Sequence, residues 1–555
     1  MGLTPVSKDA LSRKRARLPL GFAAKALGLL SVPPVARNFS EDRATSTPDA
    51  ASDPAVPVSS RVSVEYVTER LGKVAAKRNS ELFVLAESDD AHVEPAGARA
   101  FDDEPFIELP NFLRRYRKLD PQKNIDLILL RSGLTLTFVT LIGRMLEKHP
   151  GKVTVIVPRP VFGHTSLLAL VADDVVMAED AWLSFDNGIT KHLENAVSDK
   201  GRRNMDDLSL LHLHSAVRER TETAWLACEF LHGGRHHGRC SHAKDIARGR
   251  WSVASPARAD TLRLWGVKVE TASYIEEIEI ARDPVFSVTV FGSQPDANSF
   301  LLKVLPTCLE SCPIGNARSA IATMEEARNS KVISIIHAAG TDRKMVDLQT
   351  AADALKAIRN VPHGKGIDLI LHTFGGLSMY GEQIARALKD HKGHKSIFVP
   401  YYAFSAGTII ALAGNNIHLS EHATLGPIDS QFSLSERLQI PASAFVALRK
   451  QKPASKIEDD FLIMGSLSAE VIAADFTRAL EFMKGTYSRW RARGIARFLN
   501  DGHLTHGYPV MFNEAKRIGL NVTLGMPEEV FTIVDEFTSG PGTSCSVIHC
   551  SGEAD

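Results

Sequence analysis

The feature that most constrains this chain is that it is written twice. Residues 125–187 and 367–429 align without a gap at a constant offset of 242 positions (125 to 367). Ile125-Asp126-Leu127-Ile128-Leu129 returns as Ile367-Asp368-Leu369-Ile370-Leu371. Gly133 returns as Gly375, and a helical stretch carrying Ile142, Arg144, Leu146 and His149 returns with Ile384, Arg386, Leu388 and His391. Val157-Pro158 and Val399-Pro400, Phe162 and Phe404, and Ala169-Leu170 and Ala411-Leu412 keep the same register. Identities this dense in one frame mean a duplication. The repeat extends outward with small shifts. Arg78-Asn79-Ser80 answers Arg328-Asn329-Ser330, and Pro256…Gly266-Val267 answers Pro509…Gly519-Leu520.

Each copy reads strand, helix, apolar strand, helix, apolar strand, helix, strand. The apolar runs Asp126–Leu130, Val153–Val157, Asp368–Leu371 and Ser396–Val399 are short and aliphatic, as strands covered on both faces must be. Helical patterns between them predict βαβ crossovers and largely parallel sheets. At 555 residues the chain also exceeds what one core usually serves. The expected organisation is a disordered or weakly amphipathic tail over 1–60, a first domain over 62–290, a linker over 291–314, a second domain over 315–540 and a flexible tail over 541–555.

Composition narrows the class. Lys+Arg and Asp+Glu are both 65, so nothing points to nucleic acid as a partner. No apolar run is long enough for a transmembrane helix. A basic cluster, Arg13-Lys14-Arg15-Ala16-Arg17, precedes a weakly amphipathic stretch, so association with a membrane surface stays open. Six cysteines are too few to staple a chain this long and fit a reduced, cytoplasmic protein.

Two segments of the second copy carry chemistry. His372-Thr373-Phe374-Gly375-Gly376-Leu377 follows a buried strand, where glycines let the backbone turn and present N–H groups to a developing oxyanion. Tyr401-Tyr402-Ala403-Phe404-Ser405-Ala406-Gly407-Thr408 also follows a strand and opens an apolar helix. A serine at a helix start is commonly an N-cap, and a Gly-Gly pair is commonly a turn. On successive βα units, however, both segments face one crevice.

These segments, with "GEQIARAL", "LGPIDSQ", "THGYPV" and "EAKRIGL", resemble the serine dehydrogenase proteinase family. That family is a distant relative of the Clp protease proteolytic subunit and of signal peptide peptidase A. The resemblance covers about 315–540 and implies an α/β fold of two tandem crotonase/Clp-protease-like (ββα spiral) domains, the first degenerate. It implies a serine peptidase with Ser405, Asp429 and His506 as catalytic residues. The oxyanion loop falls on Gly375 and Gly376, with the Ala406 N–H as a second donor. Phe374 stands where relatives usually carry proline. The residue chemistry agrees: Ser405 needs a base, His506 can take its proton, and Asp429 can orient the imidazole. His503 and His372 compete for the histidine role, and Asp429 could merely make a turn.

The first copy lacks these groups. Ser405 maps to Gly163, Asp429 to Asn187, Gly376 to Leu134 and His506 to Val253. By analogy with double-length signal peptide peptidases, Lys191 of the first copy could serve as base in a Ser-Lys dyad instead. A crotonase-like enzyme of CoA thioesters would need no serine nucleophile, and a binding or assembly protein needs neither. The expected partners are a peptide or protein substrate and further copies of the chain, with no cofactor. Cys228, His232, His236, His237, Cys240 and His242 have the residue types of a zinc site but not a finger's spacing, and read as a His-rich loop.

Overall fold

A computed structural model of the chain describes residues 75–85, 112–114, 116–129, 134–185, 189–232, 241–252, 255–272, 315–337, 345–435, 438–538 and 547–549. The tail over 1–60, the linker over 291–314, Gly133, Asn187 and Val253 lie outside these residues, as do His236, His237 and Cys240.

The first copy builds a five-stranded sheet from β1 (Ser80–Leu85), β2 (Asn124–Leu129), β3 (Val153–Val157), β4 (Asp174–Ala178) and β5 (Val269–Ala272), paired in that order and all parallel. The second copy repeats it with β6 (Ser330–Ile336), β7 (Gly366–His372), β8 (Lys395–Val399), β9 (Asn416–Leu419) and β10 (Val522–Leu524), again in order and parallel. A parallel sheet whose strands pair in chain order advances one way at every crossover, which makes each copy a spiral of βα turns. This is the ClpP-like α/β fold, present twice.

One addition was not foreseen. Val547–His549, assigned to a flexible tail from sequence, instead forms β11, antiparallel to the outer edge of β6. It covers a row of main-chain groups that would otherwise be an open sheet edge.

The repeated Arg-Asn-Ser motif has a structural cause. Asn79 and Asn329 both take φ of 50°, in the left-handed region that asparagine tolerates, and turn the chain into the first strand of each copy. Arg78 and Ser80 then bind the buried Asp126 carboxylate at 2.5 Å each, while Arg328 and Ser330 bind Asp368 at 2.5 and 2.7 Å. His149 and His391 likewise contact the main-chain oxygens of Lys123 and Lys365, at 2.6 and 2.7 Å. Buried charge must be paired, so these partners persisted together in both copies.

Nine helices matter for the site: α1 (Leu136–Glu147), α2 (Ile189–Lys200), α3 (Asp207–His232), α4 (Gly315–Arg328), α5 (Leu348–Asn360), α6 (Ser378–Asp390), α7 (Ala406–Leu412), α8 (Arg489–Asn500) and α9 (Glu528–Thr538). The copies share cores rather than touching lightly. Ile321 and Met324 of α4 and Phe531 and Val534 of α9 belong to one apolar cluster with Phe112, Leu127 and Phe138 of the first copy. A second cluster joins Leu210 and Leu211 of α3 to Ile440, Phe445 and Leu448. Beside it, Lys452 pairs with Asp207, both buried. Among the described residues no helix is long and apolar enough to cross a membrane.

Candidate active site

A three-stranded sheet of two-residue strands, separate from the main sheet, organises the site. Tyr402–Ala403 pairs parallel with Thr424–Leu425, which pairs antiparallel with Val510–Met511. Ser405 follows the first of these strands, Asp429 follows the second, and His506 precedes the third. Three segments distant in sequence thus present their candidate residues from one small platform.

Ser405 takes φ of 50° and ψ of −115°, a conformation disfavoured for a residue with a Cβ. It caps α7 in position but not in chemistry, since its side chain accepts no helix N–H. Among the described residues its hydroxyl has no hydrogen-bond partner, His506 included. The N-cap explanation for this serine therefore fails. Strain at a half-buried, unengaged hydroxyl is what a nucleophile elbow requires. Thr408 ties the elbow to the Asp429 loop: its hydroxyl donates to Ala403 O at 2.8 Å or Gly426 O at 2.9 Å, and accepts from Gly426 N–H at 3.1 Å.

Asp429 and His506 are joined directly. Asp429 is 3% exposed, and its Oδ1 lies 2.8 Å from His506 Nδ1. Its Oδ2 accepts from Gln431 Nε2 at 2.9 Å. The carboxylate therefore holds the imidazole by Nδ1, and among the described residues no protein group occupies Nε2. The competing histidines sit elsewhere. His503 is exposed against Phe498. His372 is wholly buried beside Tyr401 and Tyr402, and burial pushes it down to about 3, so it stays neutral. The two tyrosines are core, with Tyr401 donating to Asp535 Oδ1 at 2.9 Å. Lys191 is exposed on the first turn of α2.

The Thr373–Leu377 loop packs against the turn that carries Ser405. Thr373 N–H donates to Tyr402 O and Phe404 N–H to Thr373 O, at 3.1 and 3.0 Å. Gly375 has φ of 98° and Gly376 φ of 145°, values that L side chains rarely adopt. A Cβ on Gly375 would lie 2.6 Å from Phe404 O and 2.8 Å from Ser405 Cβ. The Gly375 N–H is already donated to Thr373 Oγ1 at 3.0 Å. Gly376 and Ala406 donate their N–H groups to no acceptor among the described residues. Phe374 stacks on Tyr402 with centroids 4.1 Å apart, so an aromatic contact anchors the loop.

Behind the loop runs a buried relay that sequence reading missed. Asp347 Oδ1 accepts from Thr350 Oγ1 at 2.8 Å, Thr350 Oγ1 lies 3.2 Å from His337 Nε2, and His337 Nδ1 lies 2.7 Å from Thr373 Oγ1. Burial pushes His337 down to about 4, so a neutral imidazole bridges the two hydroxyls. No spacing signal links positions 337, 350 and 373; only the parallel pairing of β6 with β7 does.

First-copy residues also reach the site. Glu222 of α3 accepts from Thr505 N–H and Oγ1–H, at 2.5 and 2.6 Å. Arg218, one turn earlier, is lowered by burial while Asp429 and Glu222 attract its charge. At the first copy's own equivalent of the site, Gly163 keeps a positive φ of 74° but offers no hydroxyl. There Leu134 N–H, the counterpart of Gly376 N–H, is filled by Thr165 Oγ1 at 3.2 Å. Among the described residues no cluster of three or more His, Cys, Asp or Glu could hold a metal; His232 and His242 stack on each other, 6.4 Å apart.

The chain belongs to the ClpP-like SDH-type serine proteinase family, whose sequence model matches residues 100–289 and 299–549, one region for each copy. Two proteins of Methanocaldococcus jannaschii, both described as uncharacterized, are similar to it. MJ0137 is 37% identical over 38% of this chain and 75% of its own length; MJ1495 is 32% identical over 45% and 86%. Among solved structures, a mutant of the membrane-bound stomatin-specific protease 1510-N matches 35% of this chain and 78% of that one, at 16% identity and a TM-score of 0.24.

Proposed function

We propose that the second copy cleaves peptide bonds through an acyl-enzyme on Ser405, with His506 as general base and acid and Asp429 as its orienting carboxylate. The observation that carries this reading is the bond from His506 Nδ1 to the buried Asp429, built on the same small sheet that presents Ser405. With Nδ1 held, Nε2 is the nitrogen left to take the Ser405 proton and return it to the leaving amine. The tetrahedral oxyanion would accept from Gly376 and Ala406 N–H, while Gly375 shapes the turn. Serine and histidine share no hydrogen bond in this resting geometry, and such bonds commonly tighten only with substrate. Met345, Leu348, Leu377 and Met379, all exposed, lie in the segments flanking the oxyanion loop and suit an apolar side chain of a peptide. The first copy is catalytically silent in this scheme.

Fluorophosphonate labelling tests it. Wild-type protein should be labelled at Ser405, and Ser405→Ala should lose both labelling and casein hydrolysis by several orders of magnitude with an unchanged circular dichroism spectrum. Undiminished labelling of Ser405→Ala would end the assignment.

A further inference from the structure

The candidate base His506 sits in the loop between α8 and the strand Val510–Met511. Among the described residues of the second copy, the stretch Thr505–Gly507 receives only the Asp429 hydrogen bond and a turn from Tyr508 N–H to Thr505 O at 3.0 Å. The rest of its support comes from the first copy. On one side of His506, both carboxylate oxygens of Glu222 hold Thr505, by its N–H and by its hydroxyl. On the other side, Thr137 of α1 donates its hydroxyl to Gly507 O. Next to that, the Trp225 ring of α3 lies against Tyr508, with centroids 6.0 Å apart.

We propose that the degenerate copy is retained as the holder of the catalytic histidine loop, with Glu222 as a positioning residue that fixes His506 through Thr505. The inference rests on the triad reading above. Its physical basis is that proton transfer demands an imidazole placed within a few tenths of an ångström, and a loop with two intrinsic hydrogen bonds does not supply that. A carboxylate is an unusual choice for a buried brace. Glu222 is 7% exposed, and burial raises it to about 7, against which the two Thr505 donors act. Only a double acceptor satisfies both donors of one residue at once, and the geometry here is bidentate. Glu222 touches no reacting atom, so its effect passes through the position of His506.

The test uses the full chain and a fluorophosphonate, whose reaction forms an O–P bond at Ser405, expels fluoride and needs the serine proton removed. Saturation kinetics separate the chemical step, kinact, from binding, KI. Glu222→Met, which keeps the side-chain length and removes both acceptors, should lower kinact about 10- to 100-fold and leave KI unchanged. Thr505→Val should lower kinact in the same direction, the double variant should fall no further than the worse single, and Thr505→Ser, which keeps the hydroxyl, should rescue. His506→Ala is run alongside. If His506→Ala is inactive while Glu222→Met and Thr505→Val both keep wild-type kinact, or change only KI, the positioning role is overturned and the triad stands. If His506→Ala labels at the wild-type rate, the triad reading itself has failed. Should Glu222→Met not fold, Thr505→Val alone decides.

Discussion

Lys452 of the second copy and Asp207 of the first form an ion pair in which the two side chains are 4% and 1% exposed. Lys452 Nζ also donates to Met205 O at 2.8 Å, and Asp207 Oδ2 accepts from Glu458 N–H at 2.8 Å. The halves are therefore joined by a polar contact that tolerates no vacancy. Removing one partner strands a buried charge, which costs more than the pair itself contributes. Asp207→Ala should lose about 3–5 kcal/mol of unfolding free energy. Asp207→Leu combined with Lys452→Met should recover most of it. Urea denaturation measures both, and an unaffected Asp207→Ala would mean that the halves do not depend on this contact.

Which residue is the base can be decided by two substitutions. His506→Ala should reduce casein hydrolysis by at least about 1,000-fold, and Asp429→Asn by a comparable or slightly smaller factor through loss of imidazole orientation. Lys191→Ala, at an exposed position, should keep turnover within about twofold. The reverse pattern would transfer the role to a Ser-Lys dyad.

The loop proposed to bind the oxyanion allows a sterically explicit prediction at Gly375. A methyl group there would meet Phe404 O and Ser405 Cβ at under 3 Å, on a backbone with φ of 98°. Gly375→Ala should therefore shift the loop away from the elbow and cost about 100-fold or more in turnover. The stability loss should be modest, about 1–3 kcal/mol, as for one strained residue. Activity that survives intact would show that the loop plays no part in the reaction.

Acid sensitivity follows from His337 and His372. Both are lowered by burial, to about 4 and about 3, below the value of about 6.5 for a free imidazole. The unfolded chain therefore binds more protons than the folded one in this range, so stability rises with pH. Their contribution is complete above about pH 6.5 and is lost as pH falls towards 4, by on the order of 2–3 kcal/mol for His337. Thermal melts from pH 7 to pH 4 should show this loss, and His337→Gln should flatten it. A slope unchanged by His337→Gln would exclude this histidine as its source.

The sequence alone determined the architecture and the chemistry on offer. A duplicated frame of aliphatic runs and helical stretches admits little other than two parallel βα spirals, because strands buried on both faces need crossovers. Ser405 and the Gly375-Gly376 pair stood out in the sequence because each follows a buried strand, whereas Asp429 and His506 were reached as candidates only through the family resemblance. Tertiary structure alone decided how those groups meet. The strands Tyr402–Ala403, Thr424–Leu425 and Val510–Met511 are only two residues long, too short to leave a periodic signal, yet they gather the segments carrying the three candidates onto one platform, where Asp429 meets His506. The same holds for Glu222: nothing in the pattern of α3 distinguishes its clamp on Thr505 from an ordinary surface glutamate. Its partner lies 283 positions away, and the contact exists only because the two copies share their cores. Local patterns record what a segment buries, whereas a functional contact between segments is written only in the packing that joins them.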